Sequence, residues 1–234
     1  MAYQAGKYDC IIIGAGHAGC EAALACARLG CETLVLTLSL DGVAHMPCNP
    51  AIGGTAKGTL VRELDALGGA MGLAADSSML QSRMLNTSKG PGVHSLRVQV
   101  DKLQYQRVMR EILENQPRLH LHEGEGSRLL LHEGRITGVE TTEGACYQAS
   151  SVVVCTGVYL GGEIYHGTHV EPGGPSGLRA AVHLTQALRA ADFPSMRFKT
   201  DTPPRVYAIS VDFALMQRWE GDAQPRAMSF LTYT

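Results

Sequence analysis

The chain has 234 residues, 45% of them hydrophobic, and its 20 basic and 22 acidic side chains give a formal net charge of −2. This composition is sufficient for a sizeable hydrophobic core in one or two domains. The net charge is close to zero, so no overall charge excess demands a nucleic-acid partner. The apolar runs are shorter than the roughly 18 residues of a membrane span, and the 7 cysteines form no CxxC pair. No export signal begins the chain. We therefore expect a cytoplasmic protein with free thiols, no membrane association and no metal site.

The first forty residues predict a strand–loop–helix–strand unit over residues 8–37. Tyr8–Ile13 is a short apolar run typical of a buried strand, and strong helix formers occupy residues 20–29. Thr33–Thr37 predicts the second strand. The loop between the first strand and the helix, Gly14–Gly19, has the GxGxxG spacing, and here it stands in the context that this motif requires.

Each glycine of this loop has a physical role in binding a dinucleotide. Gly14 permits a tight turn, Gly16 lets the backbone approach a pyrophosphate, and Gly19 lets the helix pack closely on the strand. Free N–H groups at the helix N-terminus then face the phosphates. The predicted cofactor-binding residues of the loop are Gly14, Ala15, Gly16, His17, Ala18 and Gly19.

The second strand lacks the acidic residue that usually binds a ribose hydroxyl at its end. Thr37 stands there instead, and its hydroxyl can still form a hydrogen bond with a ribose. This departure argues against a simple NAD-dependent dehydrogenase.

The middle of the chain predicts two helices. Thr55 can cap a helix that runs to about Leu67, with Leu60, Val61, Leu64 and Leu67 on one face, and Asp101 can cap a helix that runs to about Asn115. Residues 70–98 between them show few clear elements.

The periodicity then changes to that of strands. Leu119–His122 predicts a third parallel strand, Ser151–Cys155 predicts a strand that returns to the parallel sheet, and a helix is expected from about Ser176 to Ala190. Short runs joined by glycine turns predict an antiparallel meander, which we expect as a separate small layer. Its three strands are Leu129–Glu133, Arg135–Thr141 and Ala145–Ser150.

The returning strand leads into Thr156-Gly157, and this arrangement resembles FAD proteins of the glutathione-reductase type. In those proteins the Thr-Gly turn passes close to the cofactor. Together with the glycine loop it favours FAD over NAD at the N-terminal site. The predicted fold class is therefore α/β: an FAD-binding, Rossmann-like, mostly parallel sheet with a small antiparallel β-meander.

The most specific stretch surrounds Cys48 and reads Cys48-Asn49-Pro50-Ala51-Ile52-Gly53-Gly54, with Lys57-Gly58 just beyond. With the glycine loop and three further motifs, it closely resembles the GidA/MnmG family over essentially the whole chain. The further motifs are Asp65-Ala66-Leu67-Gly68-Gly69, Leu85-Asn86-Thr87-Ser88-Lys89-Gly90-Pro91, and Lys199-Thr200 with Thr202-Pro203-Pro204-Arg205.

The resemblance implies an FAD-dependent enzyme that adds a carboxymethylaminomethyl group at C5 of the wobble uridine (U34) of certain tRNAs. It implies NADH as reductant, a folate-borne one-carbon unit, a partner GTPase of the MnmE type and a homodimer. Family members exceed six hundred residues, and the chain ends without a capped helix. We therefore expect the N-terminal part of an FAD-binding domain, with a further segment from about residue 195 and the rest of the parent protein absent.

Several site residues follow from the resemblance. Cys48 matches a family cysteine thought to assist at the uridine ring, and Lys199 is a second catalytic candidate; Lys57 and Lys89 are candidates for phosphate, flavin or substrate contact. The remaining cofactor-binding candidates are Thr37, Gly126, Thr156, Gly157 and Ala181, with the adenine end of FAD near Gly124–Gly126.

Cys48 also lies shortly before a predicted helix start, where the helix dipole favours a thiolate. We expect it on an accessible loop that faces the flavin side of the sheet, while Cys10 and Cys155 are buried in strands.

The chain departs from the family at three positions: Pro175 follows Gly173-Gly174 where an arginine is usual, Ala181 replaces a serine, and Asp201 replaces a glycine. Two alternatives to the tRNA-modifying enzyme stay open. One is a general FAD-dependent oxidoreductase acting on a small molecule, which explains the glycine loop but not the stretch around Cys48. The other is a truncated fragment without activity of its own.

Overall fold

The computed structural model describes residues 2–201, 203 and 205–232, and it divides into two compact units. The first unit comprises Met1–His45 and Met109–Arg197, and the second comprises Met46–Val108 and Phe198–Thr234. The strands are β1 Tyr3–Ile13, β2 Thr33–Thr37, β3 Ala51–Gly53, β4 Met79–Leu85, β5 Ser95–Val100, β6 Leu119–Glu123, β7 Gly126–His132, β8 Arg135–Thr141, β9 Ala145–Val154, β10 Glu163–His166 and β11 His169–Pro172. The helices are α1 His17–Arg28, α2 Lys57–Ala66, α3 Met71–Ser77, α4 Lys102–Glu114 and α5 Val182–Ala190.

A six-stranded sheet with the order β6-β2-β1-β9-β8-β7 forms the centre of the first unit. β6, β2, β1 and β9 are parallel, and β8 and β7 continue the sheet in antiparallel pairs. Ile11, Ile12 and Leu34 are fully buried, as expected for parallel strands that are covered on both faces. The predicted pairing of the first strand with the returning strand is confirmed, because Ile11 lies opposite Val152.

The expectation of a separate antiparallel layer is wrong. The predicted strands at 145–150 and 151–155 are one ten-residue strand, β9, which pairs with β1 on one side and β8 on the other. The meander therefore extends the central sheet. Two short strands that abut without a glycine or proline between them can continue as one strand, and Ser150-Ser151 contains neither.

The second unit contains a three-stranded antiparallel sheet, β3-β5-β4, that sequence analysis missed. β5 does carry a detectable signal, because Leu96, Val98 and Val100 are buried and alternate with the partly exposed Arg97 and Gln99. Such alternation is typical of a strand with one covered face. The three residues of β3 are too few to show a period.

Two predicted helices differ from those observed. α2 starts after Ala56, at φ 63°, without a side-chain cap from Thr55, and Leu60 and Leu67 of its predicted apolar face are exposed. α5 starts at Val182 rather than near Ser176, because Ser176 has φ 62° inside a 3-10 turn. Among the residues described, no helix is long and apolar enough to cross a membrane.

Candidate functional site

The glycine loop, Gly14–Gly19, joins the carboxyl end of β1 to α1. α1 begins at His17, earlier than predicted, with Gly16 as its N-cap residue in extended conformation. His17, Ala18 and Gly19 therefore form the first helical turn. The backbone N–H groups of a first turn have no partner within the helix, so this end is suited to an anion.

The three glycines of the fingerprint differ in what surrounds them. A Cβ atom on Gly14, which has φ +106°, would collide with the carbonyl of Cys155, and one on Gly19 would collide with the carbonyl of Gly14. A Cβ atom on Gly16 would meet nothing within 4 Å. Gly14 and Gly19 thus permit close packing inside the protein, whereas the space beside Gly16 is open.

The predicted Thr-Gly turn lies beside this loop. The N–H of Cys155 donates to the carbonyl of Ile13 at 2.8 Å, so the ends of β9 and β1 are level. Thr156 and Gly157 follow at once, with Gly157 at φ +55°. β1 has β2 on its other side, and ligands of open α/β sheets bind at the carboxyl edge where the strand order reverses.

The other end of the site joins β2 to the segment before β7. The N–H of Gly124 donates to the carbonyl of Thr37 at 2.8 Å, and Gly126 begins β7 against the side chains of Val139 and Ile13. The Thr37 hydroxyl donates to the carbonyl of Ser39 at 3.1 Å and keeps its lone pairs for a further hydrogen bond. Thr37 and Gly124–Gly126 thus meet at one edge of the sheet.

Sequence analysis missed Glu125, which stands between these glycines. Its side chain is 5% exposed and lies 3.3 Å from Nδ1 of His183 and 3.5 Å from Nε of Arg179. A buried carboxylate requires such partners. The signal in the sequence is an acidic residue between two glycines at the end of a strand, and its partners are too distant in sequence to be predicted.

Ala181, which stands where the family has a serine, is buried, and its backbone forms hydrogen bonds with the loop that follows β9. Its N–H donates to the carbonyl of Tyr159 at 2.8 Å, and its carbonyl accepts from the N–H of Gly161 at 3.1 Å. The methyl side chain is 4% exposed and offers no hydrogen bond to a ligand. Pro175 begins the 3-10 turn whose Ser176 hydroxyl lies 2.7 Å from Nε2 of His45.

Cys48 belongs to the second unit, on an irregular stretch, and is half-buried. The helix predicted after Cys48 is α2, which begins at Lys57, near its expected start, and the unpredicted strand β3 lies between Cys48 and this helix. Lys57 Nζ donates to the carbonyl of Ala51 at 3.1 Å, which ties the two ends of this stretch together. Whether Cys48 faces the flavin stays a prediction. Cys10 is buried in β1 as expected, whereas Cys155 is half-buried and follows β9.

A second cation near Cys48 was not predicted. Lys102, the first residue of α4, is half-buried, and its pKa is lowered by burial and by the neighbouring positive charge of Arg205, while the charge of Cys48 acts in the opposite direction. Lys102 is therefore within electrostatic reach of both side chains. No sequence motif connects residues 48, 102 and 205.

Lys199, the second catalytic candidate, is exposed to solvent. Lys199 Nζ lies 3.3 Å from a carboxylate oxygen of Asp201, and both side chains are 81% exposed. Lys199 thus pairs with the very residue that replaces a family glycine. Thr202 and Pro204 of this motif lie outside the described residues. Lys89 is exposed on a turn. Across 2–201, 203 and 205–232, no group of three or more His, Cys, Asp or Glu side chains is arranged to hold a metal ion.

A mostly parallel sheet with a glycine loop at its switch point defines a dinucleotide-binding protein of the FAD-binding Rossmann type. Residues 9–234 match the profile of the family described as Glucose inhibited division protein A. The chain therefore belongs to the GidA family.

Two relatives, from Caldicellulosiruptor saccharolyticus and Heliobacterium modesticaldum, are 51% and 53% identical to the chain over 230 residues. Both are named tRNA uridine 5-carboxymethylaminomethyl modification enzyme MnmG. The match covers 98% of this chain but only 37% and 36% of those proteins. The chain thus spans little more than a third of their length.

Solved structures give the same result. GidA from Aquifex aeolicus superposes with a TM-score of 0.93 at 44% identity, over 97% of this chain and 37% of that one. The GidA-related protein from Thermus thermophilus gives a TM-score of 0.58 at 26% identity, over 78% of this chain and 68% of that one.

Proposed function

We propose that the chain is the FAD-binding part of an enzyme that adds a carboxymethylaminomethyl group at C5 of the wobble uridine of tRNA. The observation that carries this proposal is the glycine loop at the switch point, in a chain that is 51% identical to a protein named for that modification. A general FAD-dependent oxidoreductase would share the loop, but it would not account for a similarity that covers 98% of the chain and so includes the second unit.

The residues present fit FAD. The open space at Gly16 and the N–H groups of the first turn of α1 suit a pyrophosphate, and Thr156-Gly157 lies beside them. At the other end of the site, Thr37 suits a ribose hydroxyl and the backbone of Gly124–Gly126 suits the adenine. Bound FAD would supply redox chemistry, with NADH as reductant and a folate as one-carbon donor.

Cys48 would activate the uridine. Its thiolate would form a bond to C6 of uracil, and the electron pair of the C5=C6 bond would become part of an enolate spread over C5, C4 and O4, which makes C5 nucleophilic. After C5 has formed its new bond, loss of the C5 proton and departure of the thiolate would restore the double bond. The half-buried position of Cys48 on an irregular stretch suits a side chain that must meet a large substrate. Lys199, which is 81% exposed, is the second candidate for substrate contact.

The partners follow from the same family membership. They are tRNA, an MnmE-type GTPase and a second copy of the parent protein, in the cytoplasm.

The cofactor is tested on the purified chain. An absorption spectrum near 450 nm shows whether flavin is retained, and a colourless chain is titrated with FAD by fluorescence quenching. Binding of FAD supports the proposal. Absence of binding both by the chain and by a hybrid, in which it replaces the matching part of the Caldicellulosiruptor relative, would contradict it.

The catalytic role of Cys48 is tested in the same hybrid, with tRNA, NADH, a folate donor and the partner GTPase. We expect Cys48→Ser to abolish modification or reduce it at least a hundredfold while FAD stays bound, because serine is a poor nucleophile at neutral pH. Cys146→Ser is the matched control, since Cys146 is also half-buried but lies in β9. Normal modification by Cys48→Ser would remove Cys48 from the mechanism, and loss of FAD with activity would indicate a structural role.

A further inference from the structure

Two cysteines of the first unit are in direct contact through their sulfur atoms. Cys10 lies in β1 and Cys26 in the last turn of α1, and their Sγ atoms are 3.8 Å apart. They are 16 positions apart in the sequence, so the packing of α1 on β1 brings them together. Both thiols are free, and neither belongs to the flavin site or to the stretch around Cys48.

The backbone of β1 fixes the direction of the Cys10 side chain. β1 is a central strand, with Cys10 opposite Thr33 of β2 on one side and Ser151 of β9 on the other. Ile11 packs in the cluster that contains Leu184 of α5, whereas Cys10 points to the opposite face of the sheet, toward α1. The two sulfur atoms are thus held side by side, and a further approach of about 2 Å gives the bond length of a disulfide.

The two thiols differ in their access to solvent. Cys10 is 5% exposed, and burial together with the neighbouring Cys26 thiol raises its pKa to about 12. Cys26 is only partly buried. A small oxidant therefore reaches Cys26 first, with Cys10 waiting beside it. An accessible thiol next to a second, resolving thiol is the arrangement of redox-sensing cysteines.

We propose that Cys10 and Cys26 form a modification site, which a peroxide converts reversibly into a disulfide. The Cys26 sulfur attacks hydrogen peroxide: the S–O bond forms, the O–O bond breaks, one water leaves, and Cys26 becomes a sulfenic acid. The Cys10 sulfur then attacks that of Cys26: the S–S bond forms, the S–O bond breaks, and hydroxide leaves with the Cys10 proton as a second water. An external dithiol restores both thiols by exchange and is itself oxidised.

The disulfide closes a ring that contains the whole glycine loop. The ring runs from Cys10 to Cys26 and joins β1 to α1 across Gly14–Gly19. Closing a ring lowers the entropy of the unfolded chain, so the oxidised chain should unfold at a higher urea concentration than the reduced chain. The site thus couples the stability of the dinucleotide-binding unit to peroxide, which goes beyond the proposed function.

The test oxidises the purified chain with hydrogen peroxide, removes the peroxide, blocks the remaining thiols with N-ethylmaleimide in denaturant and maps linked peptides by mass spectrometry. Cleavage after lysine, arginine and glutamate gives peptides 8–21, 22–28 and 29–32, which carry Cys10 with Cys20, Cys26, and Cys31, respectively. We expect peptide 8–21 linked to peptide 22–28 as the main product, with fragmentation placing the bond at Cys10. Dithiothreitol should release it.

Two variants show which thiol does what. Cys10→Ala removes the resolving thiol, so oxidation should leave Cys26 as a sulfenic acid that dimedone traps, with no rise in the urea midpoint. Cys31→Ala is the matched control, because Cys31 is also partly buried and its N–H donates to the carbonyl of Cys26 at 3.1 Å. It should keep both the Cys10–Cys26 bond and the rise in midpoint.

Three results would overturn the proposal. They are a bond from Cys26 to Cys31 or Cys20 in place of Cys10, no bond at all after peroxide treatment, and an oxidised wild type whose urea midpoint does not exceed that of the reduced protein. The wild-type peptide map decides the pairing even if Cys10→Ala does not fold. No measurement uses flavin or tRNA, so failure here is distinct from failure of the proposed function.

Discussion

Alanine substitutions of the loop glycines should separate flavin binding from stability. One substitution should weaken FAD binding alone, and the other two should lower the free energy of unfolding. The perturbation is one methyl group, added as Gly16→Ala, Gly14→Ala or Gly19→Ala. At Gly16 the backbone has φ −70° and a Cβ atom would meet nothing within 4 Å, so alanine fits the protein itself. The methyl group does occupy the space on the ligand side, where a pyrophosphate would approach the backbone.

The expected magnitudes follow from these surroundings. At Gly16, alanine gains about 0.4–1 kcal/mol from a less flexible unfolded chain. It loses up to about 1 kcal/mol as a poorer N-cap residue, so the net change in unfolding free energy is within about 1 kcal/mol. At Gly14, the left-handed conformation costs about 1–2 kcal/mol and the collision with the Cys155 carbonyl about 1–3 kcal/mol more. Gly19→Ala suffers a collision with the Gly14 carbonyl, at a similar cost of about 1–3 kcal/mol.

The assay combines urea unfolding without flavin, followed by circular dichroism, with a fluorescence titration of FAD. Gly16→Ala should keep its unfolding midpoint and bind FAD at least tenfold more weakly, which is about 1.4 kcal/mol. Gly134→Ala is the control for backbone strain alone, since Gly134 has φ +75° in a hairpin turn with open space around it. The reasoning is refuted if Gly16→Ala destabilises the chain as much as Gly14→Ala, or binds FAD as tightly as wild type.

Two other predictions concern stability and thiol reactivity. Asp76→Asn should lower the unfolding free energy by about 2–4 kcal/mol, because the Asp76 carboxylate accepts from the N–H groups of Met228 at 2.7 Å and Ser229 at 2.9 Å. Asp41→Asn, at a 98% exposed carboxylate, should change it by less than about 0.5 kcal/mol in the same urea titration. Burial raises the pKa of Cys10 and of Cys20 to about 12, so both thiols should resist iodoacetamide at pH 8 until the chain unfolds, and rapid labelling of folded protein would contradict this.

The parts of the fold that sequence analysis predicted correctly are those encoded by adjacent residues. The unit from Tyr8 to Thr37 needs only an apolar run, a glycine spacing and a helix-forming stretch, all within thirty residues. The cap of α4 by Asp101 is local in the same way. These features depend on backbone geometry that the nearest neighbours decide.

The incorrect predictions concern features that depend on contacts with segments distant in the sequence. Leu60 and Leu67 are apolar at helical spacing, yet Asp65 is 3% exposed on the same helix because its carboxylate accepts from the N–H of Phe230. A partner 165 positions away leaves no trace in the local pattern. The meander joined the central sheet for a similar reason, since β9 has neighbours on both sides and its length was not evident from turns alone.

The glycine loop and Cys48 depend on different parts of the structure, so different variants test them. The glycine loop is a local motif whose function needs contacts within the first unit, so Gly16→Ala reports on FAD alone. Cys48 lies in the second unit, on an irregular stretch, so Cys48→Ser reports on the uridine chemistry alone. If Gly16→Ala loses FAD while Cys48 keeps its iodoacetamide reactivity, and Cys48→Ser keeps FAD bound while modification is lost, the flavin site and the cysteine act independently. If Gly16→Ala instead loses both FAD binding and the reactivity of Cys48, the two are coupled, and the reasoning from separate units is refuted.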